Sequence, residues 1–358
     1  MSAALRRREA GDAASGRVVF VGAVHEAVPA LGVLLASTAE VAEVVTLTAE
    51  RAASTAGFVD LEPLAARFAV PVRRCADINA ADSVEHIREL RPDLIVVTGW
   101  TRLLSPELLA VPRRGCVGFH ASMLPRNRGR APVNWAILRG ETCTGNTMMF
   151  LSAGADAGDI IDQQPVRIEP ADTCATVYDK VGAVGARMLR RHLPALLEGT
   201  APRRPQEPAG NGARGEHAML PKRTPAMGVT DWNRPAHAVH DWIRALTRPY
   251  PGAFTFLDDR KVMLWASAVP PRRPRHGGQL TGEPGQILGY ESDGVWVATA
   301  GDSLLVTAMS EAGGEPESAA DWARACSLCA GDRFRPVSPA TARWALGLGP
   351  DPREVGTA

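Results

Sequence analysis

Strand-like and helix-like segments alternate over the first half of the chain, and this alternation constrains the fold more than any other feature. Runs of β-branched and apolar residues have the composition of buried parallel strands, at Arg17–Gly22, Val44–Leu47, Val70–Val72, Asp93–Thr98 and Gly115–Phe119. Between them lie segments with helical spacing of apolar residues, at Ala27–Ala36, Leu61–Phe68 and Val84–Leu90. Such alternation predicts βαβ units and a parallel sheet that binds ligands at the carboxyl ends of its strands.

The composition changes after residue 200, which predicts a second domain. Short strand-like runs separated by Gly and charged residues occur between Ala253 and Thr307 and indicate a small β-barrel. We therefore expect a disordered N-terminus at 1–16, a Rossmann-like α/β domain at 17–200, a linker at 201–220, an OB-like β-barrel domain at 221–310, and a tail of unassigned role at 311–358.

Charge and cysteine content exclude several classes of protein. The 358 residues carry a formal net charge of +1, so the chain is not a strongly basic polyanion binder. No apolar run reaches the ~20 residues of a membrane helix, and no signal peptide is evident. Six cysteines in a long, otherwise ordinary chain favour reduced thiols and a cytoplasmic location. Cys326 and Cys329 have metal-ligand spacing but no second pair, so we predict no metal.

Two residues in separate loops suggest acid–base chemistry. His120 follows the strand-like run Gly115–Phe119, and Asp156 follows a further apolar run, Thr147–Leu151. Imidazole exchanges protons near neutral pH, and a carboxylate can orient it and stabilise its charged form. Taken alone, the two residues favour a structural reading, with a histidine that caps a turn and an aspartate that starts one.

The surrounding sequence resembles the folate-dependent formyltransferases. Gly118-Phe-His-Ala-Ser-Met-Leu-Pro125, Arg128-Gly129 and Asp156-Ala-Gly158 follow the family signature, and Pro249-Tyr-Pro-Gly-Ala-Phe254 resembles the C-terminal domain of its methionyl-tRNA and sugar-nucleotide members. The resemblance implies 10-formyltetrahydrofolate as donor, His120 as acid–base group and Asp156 as its supporting carboxylate. It also implies a folate slot formed by Trp100, Thr101, Arg102, Leu104, Ser122, Met123, Leu124, Pro125, Gly154 and Ala155.

Position 118 departs from the family pattern. The family usually has Asn two residues before the histidine, where its amide can donate to the formyl oxygen, and this chain has Gly118. Asn146, where the family more often has Val, could supply the missing amide, and Asn127 is a second candidate. Altered chemistry, or folate binding without efficient transfer, is the third explanation. We predict Asn146 as the third catalytic residue.

The acceptor is predicted from charge. The tRNA-modifying members carry a basic segment after the second strand, whereas Leu47–Pro71 is close to neutral here. We therefore expect a small-molecule amine, such as an amino sugar nucleotide or a specialised-metabolite amine or hydrazine, and no tRNA partner. Methionyl-tRNA formylation, formyltetrahydrofolate hydrolysis and a non-catalytic folate-binding role are the alternatives. The oligomeric state stays open, with a homodimer as one option.

Overall fold

The computed structural model describes residues 16–206, 219–269 and 281–354. Nearly all of the N-terminus predicted to be disordered and most of the predicted linker lie outside the described residues. Contacts group the chain into two units. The first holds Met1–Pro132, Cys143–Arg167 and Thr176–Met219, and the second holds Val133–Thr142, Ile168–Ala175 and Leu220–Ala358.

The first unit contains a seven-stranded sheet. Its strands are β1 (Arg17–Gly22), β2 (Glu40–Leu47), β3 (Val72–Cys75), β4 (Leu94–Thr98), β5 (Cys116–His120), β6 (Cys143–Phe150) and β7 (Ile160–Arg167). They lie in the order β3-β2-β1-β4-β5-β6-β7. The pairs from β3 to β5 are parallel, whereas β6 is antiparallel to both of its neighbours. The predicted Rossmann-like parallel sheet is confirmed.

Seven α-helices lie between Ala27 and Glu198. They are α1 (Ala27–Leu35), α2 (Ala49–Ala53), α3 (Glu62–Ala66), α4 (Ala81–Glu89), α5 (Pro106–Leu109), α6 (Pro132–Leu138) and α7 (Cys174–Glu198). Of these, α6 is grouped with the second unit from Val133 onward. All five residues of β4 are buried, as expected for a central strand covered on both faces. Side chains of β4 pack with side chains of β1 and α4 in one buried cluster. This packing holds the carboxyl end of β4 beside the candidate site.

The second unit is built on an antiparallel sheet, which confirms the predicted β domain. Helix α8 (Ala236–Leu246) precedes β8 (Ala253–Leu257), β9 (Arg260–Ala268), β10 (Ile287–Glu291), β11 (Gly294–Ala298), β12 (Ser303–Glu311) and β13 (Glu317–Ser318). The strand order is β10-β11-β12-β9-β8, and β13 pairs with β12. Two helices, α9 (Ala319–Ala325) and α10 (Pro339–Ala345), follow in the segment predicted only as a tail.

The domain boundaries proposed from sequence stay a prediction. Within the described residues, two short segments of the first half, Val133–Thr142 and Ile168–Ala175, are grouped with the second unit. None of the helices in the part of the chain that the structure describes is long and apolar enough to cross a membrane.

Candidate active site

His120 is the last residue of β5, at the carboxyl edge of the parallel strands. It is 7% exposed and pairs with Thr147 of β6. Because side chains alternate along a strand, Gly118 and His120 share one face of the sheet, and Phe119 points to the other. The strand therefore presents the imidazole beside a position that has no side chain.

Asp156 reaches His120 from the loop after β6. Strand β6 ends at Phe150, which pairs with Val117, and the following loop returns toward the end of β5. The Asp156 Oδ1 atom lies 3.3 Å from His120 Nδ1, and its Oδ2 accepts a hydrogen bond of 2.8 Å from the Gly129 N–H. Asp156 has φ +51°, in the left-handed region that costs non-glycine residues free energy and that is concentrated at functional sites.

Both nitrogens of the His120 ring face hydrogen-bond acceptors. Nε2 lies 2.8 Å from the backbone oxygen of Asn127, which can only accept, so Nε2 carries a hydrogen. Nδ1 faces the carboxylate of Asp156. A protonated imidazolium satisfies both contacts, whereas a neutral ring would turn a lone pair toward the carboxylate. The arrangement therefore places the imidazole and the carboxylate so that a proton can be exchanged with a bound ligand.

Gln206 holds the Asp156 loop, a role that sequence analysis missed. Its Nε2 donates to the backbone oxygens of Asp156 and Gly158, at 3.1 and 2.7 Å, and its Oε1 accepts from Arg128 Nη2 at 2.6 Å. The buried Arg128 thus orients the side-chain amide of Gln206, and this amide holds the Asp156 loop in place. Gln206 lies in a segment predicted as a linker, and no pattern in the sequence marks it.

The segment Ser122–Pro125 is held rigidly beside the histidine. Thr147 Oγ1 donates to the Ser122 oxygen at 2.7 Å and accepts from Leu124 N–H at 3.1 Å. Gln163 Nε2 donates to the Leu124 oxygen at 2.8 Å. Ser122 and Leu124 are buried, while Met123 and Pro125 are half-buried. Folate binding by these four residues stays a prediction.

The other residues predicted for folate lie in two loops of the same unit. Trp100, Thr101, Arg102 and Leu104 follow β4, the neighbour of β5, and Leu104 is buried in the core to which Trp100 also packs. Thr101 and Arg102 are exposed, and Arg102 pairs with Asp77 at 3.2 Å. Gly154 and Ala155 directly precede Asp156. The first group therefore lies in the loop after the strand next to β5, and the second group lies in the Asp156 loop.

The structure does not bring the side chain of Asn146 to His120. Asn146 precedes Thr147, the partner of His120, so its side chain points to the opposite face of the sheet. There the Asn146 Nδ2 atom donates to the backbone oxygen of Val181 in α7, at 2.9 Å. The predicted replacement of the missing amide from Asn146 is therefore not supported. Asn127 does lie at His120, through its backbone oxygen.

The space beside Gly118 is filled by Leu151. A Cβ atom built on Gly118 would lie 2.6 Å from Leu151 Cδ2 and 3.1 Å from its Cγ. Leu151 packs on a small cluster of Leu124, Met149 and Ile160. The chain thus has an apolar side chain where the family pattern has an amide.

An imidazole and a carboxylate held together at the carboxyl edge of such a sheet form a pair that can exchange protons with a bound ligand. The sequence matches the profile "Formyl transferase" over residues 17–193 and "Formyl transferase, C-terminal domain" over 222–327. The chain belongs to the folate-dependent formyltransferase family and is an enzyme of that family.

Its relatives include two bacterial methionyl-tRNA formyltransferases. The protein of Geobacter sulfurreducens is 35% identical over 292 residues, which cover 81% of this chain and 87% of the relative. That of Bacillus subtilis is 32% identical and covers 88% of this chain and 96% of the relative. HypX from Aquifex aeolicus in complex with tetrahydrofolic acid has a similar fold, with TM-score 0.61 and 20% identity over 90% of this chain and 49% of HypX.

These relatives overturn the predicted acceptor. Six curated relatives, at 32–35% identity over most of the chain, are named methionyl-tRNA formyltransferase, so the prediction of a small-molecule acceptor and no tRNA partner is wrong. The charge argument fails because it rested on one segment, Leu47–Pro71, and on the net charge, whereas nucleic acid can be bound by Arg and Lys placed elsewhere on the surface.

Proposed function

We propose that the protein transfers the formyl group of 10-formyltetrahydrofolate to the α-amine of methionyl-tRNA. The observation that carries this proposal is the His120–Asp156 pair at 3.3 Å, in a chain similar to methionyl-tRNA formyltransferases over most of its length. The match to both family profiles supports a formyl donor carried on folate.

In the proposed reaction the neutral amine attacks the formyl carbon. A new C–N bond forms, the bond between that carbon and N10 of the folate breaks, and N10 takes a proton from His120. The attacking nitrogen releases one of its own protons, which returns to His120 and restores the imidazolium. Asp156 stabilises the positive imidazolium before the transfer and keeps the ring in place. A hydrogen-bond donor at the formyl oxygen would stabilise the negative charge that develops there. Gly118 has no side chain that could supply this donor.

The experiment is an acceptor assay with purified protein, 10-formyltetrahydrofolate and methionyl-tRNA. Mass spectrometry of the amino acid released from the tRNA detects N-formylmethionine, and a parallel measurement follows formate. We expect N-formylmethionine in amounts that match the folate consumed, and little formate when the tRNA is left out. Formate release at the same rate with and without tRNA would identify a hydrolase and refute the proposal.

A further inference from the structure

A cavity in the first unit lies on the face of the sheet opposite the His120 side chain. Its volume is about 310 Å³, open mouth included. The ends of β4 and β5, strand β6, helix α7 and the start of α1 form its walls, among them Glu26, Thr98, Phe119 and Asn146. Because the imidazole points to the other face, a ligand in this cavity cannot exchange a proton with it. Such a ligand would act on the structure and not in the chemical step.

Two buried polar atoms line this cavity without a hydrogen-bond partner among the described residues. They are Thr98 Oγ1 and Asn146 Oδ1, in residues that are 5% and 2% exposed. The Nδ2 atom of Asn146 donates to the Val181 oxygen at 2.9 Å, which fixes the orientation of the amide and leaves its oxygen unpaired. Buried polar atoms are almost always paired, so a ligand that contacts both oxygens would remove the penalty for leaving them unpaired.

Glu26 adds a carboxyl group to the same cavity. It is the one titratable residue among the cavity walls that the structure describes, and those walls contain no Lys, Arg or His. Burial raises the pKa of Glu26 to about 7, and the negative charge of Asp179 on α7 adds to the increase, while the backbone N–H of Glu26 opposes it. A buried carboxylate is costly unless an opposite charge accompanies it, and a bound cation would supply that charge.

Two glycines of α7 bring this helix close to the three oxygen-bearing side chains. A Cβ atom at Gly185 would lie 2.9 Å from Asn146 Nδ2, and one at Gly182 would lie 3.3 Å from the Glu26 Cα atom. Larger residues at these two positions would push α7 away from the strands. The close approach therefore leaves room for a small ion between the helix and the strand ends, and not for a bulky organic cation.

The chemistry of the three side chains favours a monovalent metal cation. Carboxylate, hydroxyl and amide oxygens are hard ligands, which bind hard metal cations. Calcium and magnesium usually draw on several carboxylates or on phosphate groups. One carboxylate among neutral oxygens balances a single positive charge instead, and water at the open mouth can complete the coordination.

The cavity adjoins the two segments predicted to bind the folate donor. Its walls include Gly99, which directly precedes Trp100 in the loop after β4, and Ala121, which lies between His120 and Ser122. A cation held between these walls would link the start of one segment to the start of the other. Occupancy of the cavity should therefore change how firmly both segments are held.

We propose that Glu26, Thr98 and Asn146 bind a monovalent metal cation of sodium or potassium size, and that the bound cation tightens binding of the folate donor. The second part rests on the proposed function for the identity of the donor. By linkage, a cation that tightens donor binding is itself bound more tightly when the donor is present, by the same factor. This reciprocity provides a measurement that needs no turnover.

The first test measures cation binding through thermal unfolding of the full chain. The protein is dialysed into tetramethylammonium chloride, whose cation is too bulky for the site, and KCl or NaCl replaces this salt stepwise at constant ionic strength. We expect the melting midpoint to rise along a saturable curve by roughly 2–8 °C in at least one of the two salts. Equal midpoints in all three salts, or the same rise with magnesium chloride alone, would overturn the monovalent cation site.

Matched variants assign the binding to this cavity. Glu26→Gln keeps the shape and removes the charge, so half-saturation should need a cation concentration about ten- to hundredfold higher. Thr98→Val removes one oxygen and should raise that concentration about two- to tenfold, and it replaces Glu26→Gln in the test if the latter does not melt cooperatively. Glu50→Gln, which changes an exposed carboxylate on α2, should respond as wild type does. A wild-type response in Glu26→Gln or in Thr98→Val would overturn the assignment to the cavity.

The second test measures the coupling to the donor with tetrahydrofolate, which carries no formyl group to transfer. Saturating tetrahydrofolate should lower the half-saturating cation concentration about fivefold or more. In formylation of methionyl-tRNA, KM for 10-formyltetrahydrofolate should fall in the favoured salt, and Glu26→Gln should lose this dependence. A half-saturating concentration that tetrahydrofolate leaves unchanged would overturn the coupling. If the cation binds as expected but no methionyl-tRNA is formylated, the proposed function fails and the cation site stands.

Discussion

Restoring the amide at position 118 should help catalysis only when Leu151 is made smaller. The Cβ atom of Gly118→Asn would approach Leu151 Cδ2 to 2.6 Å, well inside normal contact. Forcing a larger side chain into packed space costs about 1–3 kcal/mol and displaces the new group. A well-placed donor at the developing oxyanion contributes about 3–4 kcal/mol, or 10²–10³ in rate. The two effects are of similar size, so the single variant should gain little.

Leu151→Ala removes the atoms that block the new side chain. The double variant Gly118→Asn/Leu151→Ala should therefore raise kcat/KM about 10²-fold over Leu151→Ala alone. Because Leu151 packs on a small apolar cluster, Leu151→Ala should by itself lower the free energy of unfolding by about 2 kcal/mol. Thermal melts of wild type, Gly118→Asn, Leu151→Ala and the double variant separate this loss of stability from the change in rate.

The assay is a double-mutant cycle on formylation of methionyl-tRNA. Gly118→Ala, alone and with Leu151→Ala, is the matched control, since it adds the Cβ atom without an amide. A gain in Gly118→Asn as large as in the double variant would show that Leu151 yields without cost. No gain in either variant would refute the reasoning that an amide here donates to the formyl oxygen.

Three further predictions follow from the same structure. Gln206→Ala should lower kcat about ten- to hundredfold in steady-state kinetics, because the Asp156 loop loses two hydrogen bonds, and unchanged kcat would contradict this. It should also lower thermal stability, because the buried Arg128 loses a hydrogen bond. Burial raises the pKa of both Cys116 and Cys174 to about 12, so at pH 8 a thiol reagent should label the exposed Cys143 and Cys329 first and the two buried thiols only after unfolding. The pKa of Glu26 is about 7 in the folded protein and has its ordinary value of 4.5 in the unfolded chain. Protonation of Glu26 therefore stabilises the folded state fully below pH 4.5, and this stabilisation is lost as the pH rises through 7. In denaturant titrations, the free energy of unfolding of Glu26→Gln should rise by about 1–3 kcal/mol relative to wild type between pH 5 and 8. If the free energies of unfolding of the two proteins changed in parallel with pH, the raised pKa of Glu26 would be refuted.

The parallel strands could be predicted from sequence because burial on both faces leaves a continuous apolar run. Strand β4 is the clearest example, since all five of its residues are buried. Strand β7 could not be predicted in this way, because Ile160–Arg167 carries Asp162, two glutamines and Pro165 and is only partly buried. Its identity depends on pairing with β6, which a local pattern does not contain.

The acid–base pair could be anticipated, but the surroundings of the pair could not. His120 and Asp156 follow from motif residues, and the structure places their side chains 3.3 Å apart. The orientation of Asn146 depends on the register of β6 against β5, in which a shift of one residue exchanges the two faces. Gln206 acts through backbone oxygens fifty residues earlier, a contact for which the sequence has no signal.

The central claim is that the His120–Asp156 pair transfers a formyl group to an aminoacyl amine. Its most direct test compares initial rates of N-formylmethionyl-tRNA formation by wild type and Asp156→Asn. Asp162→Asn is the matched control, because Asp162 forms a second histidine–aspartate contact, 2.9 Å from His192, in the same unit. The account predicts a loss of about 10²–10⁴ in rate for Asp156→Asn and a rate within about twofold of wild type for Asp162→Asn. Equal rates in wild type and Asp156→Asn would contradict it.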